Sequence, residues 1–451
     1  MKFPLWLAPA VALLWIGFSP AEAGWKAGVA RTVITPEQPM WMSGYGGRDH
    51  VAEGKETDLW AKALLLDDGE GHQILAITLD LVGLDRETSV LIKSGIEKSL
   101  KLTPGQVALL CSHTHCGPVV GTNLMAMYTL GEEDHAKVRN YTAGLIRKTV
   151  ALAEEAAKDL SPADISYGSG STDFAVNRRN NKEPEVPEIR AKGEALKGPV
   201  DHAVPVLRVT TGDKLRAVLF GYACHATTLG FYNWCADYPG FAMMDVEAAH
   251  PGTVALFWAG CGADQNPLPR RTVALAKEYG KKLATAVEDV LAATPAAVVS
   301  GPLTVHYDEI PLHFAHIPGR SEVEEQLKSS NKFEVSRAKF LLKQLDAQGK
   351  LEDSYPYPVQ TWTLGNGPTW TTLGGEVVVD FALRIKKEHP DRPLWVAGYA
   401  NDVMAYIPSL RVLKEGGYEG GGAMLYYGHP SPWNEEVEER IIKTVNKQLA
   451  P

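Results

Sequence analysis

Two rhythms of apolar and polar positions alternate along the first part of the chain. The run "HQILAITLD" (72–80) is almost continuously apolar and predicts a buried strand, whereas "ETSVLIKSGIEKSLK" (87–101) places its apolar residues at helical spacing. "TPGQ" then turns the chain, and "VALLCSHT" restores the strand pattern. The sequence therefore predicts a βαβ unit. A pair of histidines, His113 and His115, stands at the carboxyl end of its second strand, where open α/β sheets collect their functional groups.

The same alternation continues. A long helix is predicted over 132–159, followed by strands in "ADISYGSGSTDFAV", "AVPVLRVTT", "KLRAVLFGYACHA" and "TVALFWAGC", and a strong helix over 270–293. Residues 321–350 are charged and read as one solvated surface helix. "VQTWTLGNGPTWTTLGG" predicts a hairpin, "EVVVDFALRIKKEH" a helix, "PLWVAGYAN" a last buried strand and "NEEVEERIIKTVNKQL" a closing amphipathic helix. No repeat, low-complexity tract or linker interrupts the pattern. The expected fold class is α/β, with mixed β-sheets flanked by helices in one domain over 24–451.

Composition narrows the function. The chain has 451 residues, 45% hydrophobic and 22% charged, with a net charge of −9. No Lys/Arg block offers a stripe for phosphates, so nucleic acid is not an expected partner. Residues 1–23 carry one lysine, an apolar stretch and a terminal Ala-Glu-Ala, the pattern of a signal peptide. The expected location is secreted or periplasmic. Five cysteines are too few for a disulfide scaffold, and their odd number leaves at least one unpaired. No CxxC pair is present, so packing residues are the simplest description of them.

Four segments could carry chemistry. In "CSHTHCGP", residues i and i+2 of a strand share a face, so His113 and His115 would present two imidazoles together. A zinc site, a disulfide or an ordinary polar loop would each suit that stretch. His225 in "YACHATTLG" again follows an apolar strand, with Asp237 in a turn nearby; a metal ligand and a turn cap are both open. Glu376 follows two glycines at the start of the predicted helix, as a site carboxylate or as an ordinary first-turn acid. Tyr399, Tyr406 and Tyr418 lie in a Gly-rich region, where packing and hydrogen bonding suffice as a default.

Taken in order, "SHTHCGP", "NRRN", "YACHATTL", "ADYPG", "GCGADQNP", "LGGE" and "GYANDVMAYIPSLRVLKEGGYEGG" resemble the amino-terminal catalytic domain of the neutral, non-lysosomal ceramidase family. The resemblance runs from about Gly28 to near the C-terminus. It implies a Zn2+ site with His113, His225, Glu376 and Tyr406 as ligands. It further implies His115 and Tyr418 as catalytic groups, and Asn177 and Arg178 as residues lining the substrate cleft. The implied reaction is hydrolysis of an N-acyl amide by a zinc-activated water, with ceramide as the best substrate and transient contact with a membrane surface as a corollary.

Two departures from the family pattern bear on substrate. Gln265, expected beside the substrate, stands where the family carries a serine, and the sequence stops at Pro451 where such enzymes continue into an immunoglobulin-like domain. They keep open a zinc amidase or esterase for a smaller acyl compound, and a non-catalytic binding protein on the same fold. The sequence carries no signal for an oligomeric state.

Overall fold

A computed structural model describes residues 24–293 and 297–450; the expected signal peptide lies outside the described residues. Among them no helix is long and apolar enough to cross a membrane.

Three sheets carry the fold, and each ends in a parallel pair. The first contains β1 (Lys26–Val33), β2 (Trp60–Asp67), β3 (Gln73–Leu79) and, after α1 (Arg86–Leu100), β4 (Val107–Cys111). Its order is β4-β3-β2-β1 with Ser161–Pro162 at the edge, and β3 runs parallel to β4 with Leu79 opposite Cys111. The predicted βαβ unit is therefore present. Helix α2 (Glu132–Lys158) lies against β1 and β2.

The second sheet uses β5 (Asp164–Ser171), then, beyond the short β6 (Ala175–Asn177), β7 (Ala203–Thr211) and β8 (Lys214–Tyr222). Helix α3 (Asp237–Ala249) leads to β9 (Val254–Ala259), which runs parallel to β8 with Tyr222 opposite Ala259. A short β10 (Gln265–Pro267) pairs with β6, and α4 (Val273–Ala292) packs on α3.

The third sheet starts with β11 (Leu303–His313). Two helices follow, α5 (Arg320–Gln326) and α6 (Lys332–Gln348), before β12 (Ser354–Leu364) and β13 (Thr369–Leu373) form the predicted hairpin. After β14 (Glu376–Val377) and α7 (Val379–Glu388), β15 (Leu394–Ala397) joins β13 in parallel. Strand β16 (Tyr406–Ile407) pairs in parallel with β14, and α8 (Val437–Leu449) closes the fold.

The apolar runs are continuous because the central strands are buried on both faces. In β4, Val107, Leu109 and Cys111 join the core beneath α1 and α2, while Ala108 and Leu110 face the junction of the three sheets. Strand β8 divides the same way, Val218, Phe220 and Tyr222 against Ala217 and Leu219. Trp258, Trp362, Trp370 and Trp395 fill the junction, with the Trp258 and Trp370 rings 5.5 Å apart. Burying each of these indoles is worth roughly 4 to 6 kcal/mol at about 25 cal/mol per Å2.

Three local expectations change. Residues 321–350 form two helices: Asn331 breaks the run by capping α6, its side chain accepting from the Phe333 amide at 3.0 Å. Nor is that region merely solvated, since Val323, Ala338, Leu341 and Leu351 form a small core and Phe333 packs on Tyr426. Glu376 is not in a helical first turn; it pairs with Tyr406 across a two-residue parallel bridge, and the helix begins three residues later. The β-branched run Val377–Val379 favours extended backbone at that point. His113 is not on a strand either: β4 ends at Cys111, and His113 takes φ 62°, a left-handed conformation.

Candidate active site

The carboxyl ends of β4, β8, β13 and β15 meet. His113 follows β4, His225 follows β8, Glu376 follows β13, and Tyr399 follows β15. Main-chain bonds lock these ends together: Cys111 N donates to Tyr399 O at 3.2 Å, Tyr399 N to Gly375 O at 2.9 Å, and His225 N to Gln265 O at 2.9 Å. The site is thus built from all three sheets.

At the centre, the carboxylate atom Glu376 Oε2 lies 3.2 Å from His113 Nε2 and 3.1 Å from His225 Nε2. Tyr406 Oη is 3.2 Å from the same His225 nitrogen, and His115 Nε2 is 3.1 Å from His113 Nε2. Ligand atoms of the three histidines lie within 4.8 Å of one another, and all three residues are buried. Sequence reading expected His113 and His115 to share a strand face. They meet instead because His113's left-handed backbone swings the chain, leaving the rings edge-on at 4.7 Å.

The remaining ring nitrogens distinguish the histidines. His113 Nδ1 lies 2.6 Å from Val82 O and His225 Nδ1 lies 2.8 Å from Gly262 O. Each carbonyl calls for a proton on Nδ1, which leaves Nε2 of the neutral ring as an acceptor pointing inward, the arrangement metal-bound imidazoles use. His115 differs, for its buried Nδ1 has no partner among the described residues.

Electrostatics agree with this division. Burial, with a contribution from Arg178, pushes His225 down to about 4, so its ring is neutral. Burial would raise Glu376, but the histidines outweigh it and hold the carboxyl well below the usual range. With Nδ1 of each ring on a carbonyl, both Nε2 atoms turn toward one carboxylate oxygen, and the Tyr406 hydroxyl lies beside them. Such a knot is stable only with positive charge at its centre, as a proton or a metal ion. A proton serves one pair of atoms, whereas a metal ion serves all of them; the residues present fit a divalent ion.

The other expected residues fall in two groups. Arg178 reaches the site: its Nη2 donates to Tyr406 Oη at 3.0 Å, and its guanidinium stands 5.7 Å from the ring centres of Tyr406 and Tyr418. Tyr418 is 42% exposed, with its ring 5.1 Å from that of Tyr406, and marks the solvent side of the cluster. Asn177 and Gln265 lie behind it, paired across β6 and β10. Asn177 Nδ2 donates to Pro199 O and to Asp264 Oδ2, both at 3.0 Å. Gln265 Nε2 donates to Ala223 O while its Oε1 accepts from Asp201 N at 3.0 Å. Both side chains are engaged with the protein itself, as braces of the loops carrying Arg178 and His225. Asp237 likewise accepts from Leu229 N and Tyr238 N and serves its own turn. All five cysteines are free and buried, and burial raises Cys111 and Cys235 to about 12, the state of packing thiols rather than ligands.

Sequence reading missed several neighbours. Gly44 takes φ +98°, and a Cβ there would stand 2.5 Å from His115 Cγ, so glycine is required for the main chain to approach that ring. The Tyr427 hydroxyl donates to the second oxygen of Glu376, while Tyr399, singled out in the sequence only as a packing residue, lays its ring 4.3 Å from that of His113. Only Gly44 carried a signal, the "SGYGG" turn, and nothing in it pointed to a histidine seventy residues on.

An α/β fold with a buried His–Glu–Tyr centre at its strand ends offers a group of side chains that could hold a metal ion. Residues 25–260 match the family model described as neutral/alkaline non-lysosomal ceramidase, N-terminal, and the chain belongs to that family. Neutral ceramidase from Pseudomonas aeruginosa superposes with a TM-score of 0.71 at 18% identity, over 94% of this chain and 74% of that one. A ceramidase complexed with C2 gives the same score and identity over 93% and 74%. The family model ends before Glu376, Tyr406 and Tyr418, whereas the structural match takes in 94% of the chain. Family and fold together support a hydrolase acting on amides.

Proposed function

We propose that this protein is an exported zinc-dependent hydrolase that cleaves the N-acyl amide of ceramide to a sphingoid base and a fatty acid. The observation that carries the reading is the convergence of His113 Nε2 and His225 Nε2 on Glu376 Oε2, each within 3.2 Å of it, with each ligand-type imidazole held by a backbone carbonyl. His113, His225, Glu376 and Tyr406 would hold the ion, and His115 would stay free of it. A bound zinc ion supplies Lewis acidity and lowers the pKa of water to about 7.

The chain's own groups divide the remaining work. The Val82 and Gly262 carbonyls fix the two ligand rings, while Tyr427 holds the far oxygen of Glu376. Tyr418, on the open side, donates a hydrogen bond to the amide oxygen as charge develops there. Arg178 orients the Tyr406 phenol. His115, with one nitrogen unbonded, carries a proton to the departing amine, which leaves poorly unless protonated. The open side would meet a lipid surface transiently during substrate capture.

Three measurements test this reading: zinc content of the purified protein, and fatty acid released from ceramide before and after chelation. One bound zinc and activity restored by zinc are expected. Replacement of His115 by Ala should lower kcat by about 10^2 to 10^4 while zinc content stays native. Metal-independent turnover would sink the metal assignment. Faster release from short, soluble N-acyl amides or esters than from ceramide would move the substrate to the smaller acyl class, and binding of these compounds without turnover would leave a binding protein.

A further inference from the structure

One buried acid near the site has no part in the roles above. Glu419 is 5% exposed and follows Tyr418 in the turn Tyr418–Gly422. Its Oε1 accepts from Arg178 Nε at 2.7 Å, and its Oε2 accepts from Arg179 Nη1 at 2.7 Å. A single carboxylate therefore bridges two consecutive arginines that lie over two hundred residues away in sequence.

Each arginine passes the constraint onward. Arg178 has its Nε on Glu419, its Nη1 on Asn266 Oδ1 at 3.3 Å and its Nη2 on Tyr406 Oη at 3.0 Å. The plane and reach of the guanidinium are thus set at three corners. Arg179 closes on the Gly416 carbonyl, with both terminal nitrogens at 3.1 Å. The loop it grips turns on Gly416 and Gly417, which take φ of 69° and 77° with extended ψ, backbone open essentially to glycine alone. Backbone bonds from Gly422 N to Gly417 O and from Ala423 N to Tyr418 O, both 3.0 Å, close the turn itself, and the ion-paired clamp ties it to the arginines beside Tyr406, with Glu419 as its hub. A carboxylate is needed, since an amide in its place offers one acceptor atom to two charged donors.

We propose that Glu419 is a positioning residue for this reaction, holding Arg178 against the Tyr406 hydroxyl and Tyr418 at the mouth of the site. The catalytic consequence rests on the function proposed above, while the clamp itself does not. Glu419→Gln keeps the size but loses the charge and one acceptor. Glu419→Asp keeps the charge but is one methylene short of reaching both arginines.

The test uses the full chain and two kinds of readout. Hydrogen exchange on the metal-free protein should quicken about tenfold or more in 177–181 and 416–422 for Glu419→Gln, with β3 and β8 unchanged. With a short-chain ceramide, kcat should fall about ten- to hundredfold while KM stays within about threefold and zinc content is native, because Tyr418 acts on the developing charge. Glu419→Asp should fall between Gln and the native protein in both readouts. Native exchange in both loops, or a kcat within about twofold of native in both variants, overturns the proposal. So does faster exchange throughout the sheets, which would make Glu419 a general support of the fold. Absence of turnover in the native protein would refute the proposed function instead, and the exchange result would still decide the clamp.

Discussion

The segment from Tyr399 to Tyr406 has a buried polar cluster on either side, and the two are built on opposite principles. On one side, the Nε2 atoms of His113 and His225 each lie within 3.2 Å of the Glu376 carboxylate. On the other, Asp402 accepts from the Tyr355 hydroxyl at 2.6 Å and shares a polar recess with Lys93, Arg86 and Glu309. The second cluster contains its own counter-charges: burial lifts Asp402 to about 6 and lowers Lys93 to about 7, and each moderates the other. The first has a carboxylate held well below the usual range and, in His225, an imidazole that stays neutral. A buried cluster that balances its own charge belongs to the fold. One that leaves acceptors facing acceptors calls for an ion.

That contrast can be broken most directly by substitution on each side. His225→Ala should abolish both bound zinc and hydrolysis, whereas Asp402→Asn should leave both native, as metal analysis and a turnover assay would read. Equal zinc content in the two variants would erase the distinction. A milder change sharpens it: Tyr427→Phe removes the hydroxyl on the far oxygen of Glu376 and should weaken zinc binding about 10- to 100-fold in a competition titration, with the fold intact.

The smallest effect concerns pH. The folded value of Asp402, about 6, lies above its ordinary 3.8. The stability gained from its neutral form is thus complete below pH 4 and is lost as pH rises through 6. Asp402→Asn stays neutral and should gain stability over the native chain across that window, with a flat difference above it. Two pKa units bound the gain at roughly 3 kcal/mol, less what Lys93 and Arg86 lose with their counter-charge. Urea titrations at pH 4, 5, 6 and 7 would measure it, and a gap that narrowed with rising pH would contradict the burial argument.

Much of the fold was legible because its signals are local. The run 72–111 announces a strand, a helix and a strand by periodicity alone, and β3, α1 and β4 appear there. The failures are equally physical. "EVVVDF" has an apolar pattern that suits a helix, yet Glu376 and Val377 are drawn into a parallel bridge with Tyr406 and Ile407, a partner thirty residues away. The HxH argument assumed strand geometry, but the strand stops two residues before His113. In "GGYEGG", the tyrosine stood out as chemistry and the glutamate did not, since its role exists only once two arginines arrive.

The sequence by itself determined the alternation of strands and helices, the residue types available for a metal centre and the order of the motifs that place the chain in its family. Those properties depend on neighbours along the chain and survive without a fold. Tertiary structure alone decided which atoms of those residues meet. It turned His113 and His225 inward by engaging their other nitrogens, left His115 Nδ1 without a partner among the described residues, drew Asn177 and Gln265 behind the site and clamped Tyr418 through Glu419. These are contacts between ends of three different sheets, and no local pattern encodes the distance between strands that only folding brings together.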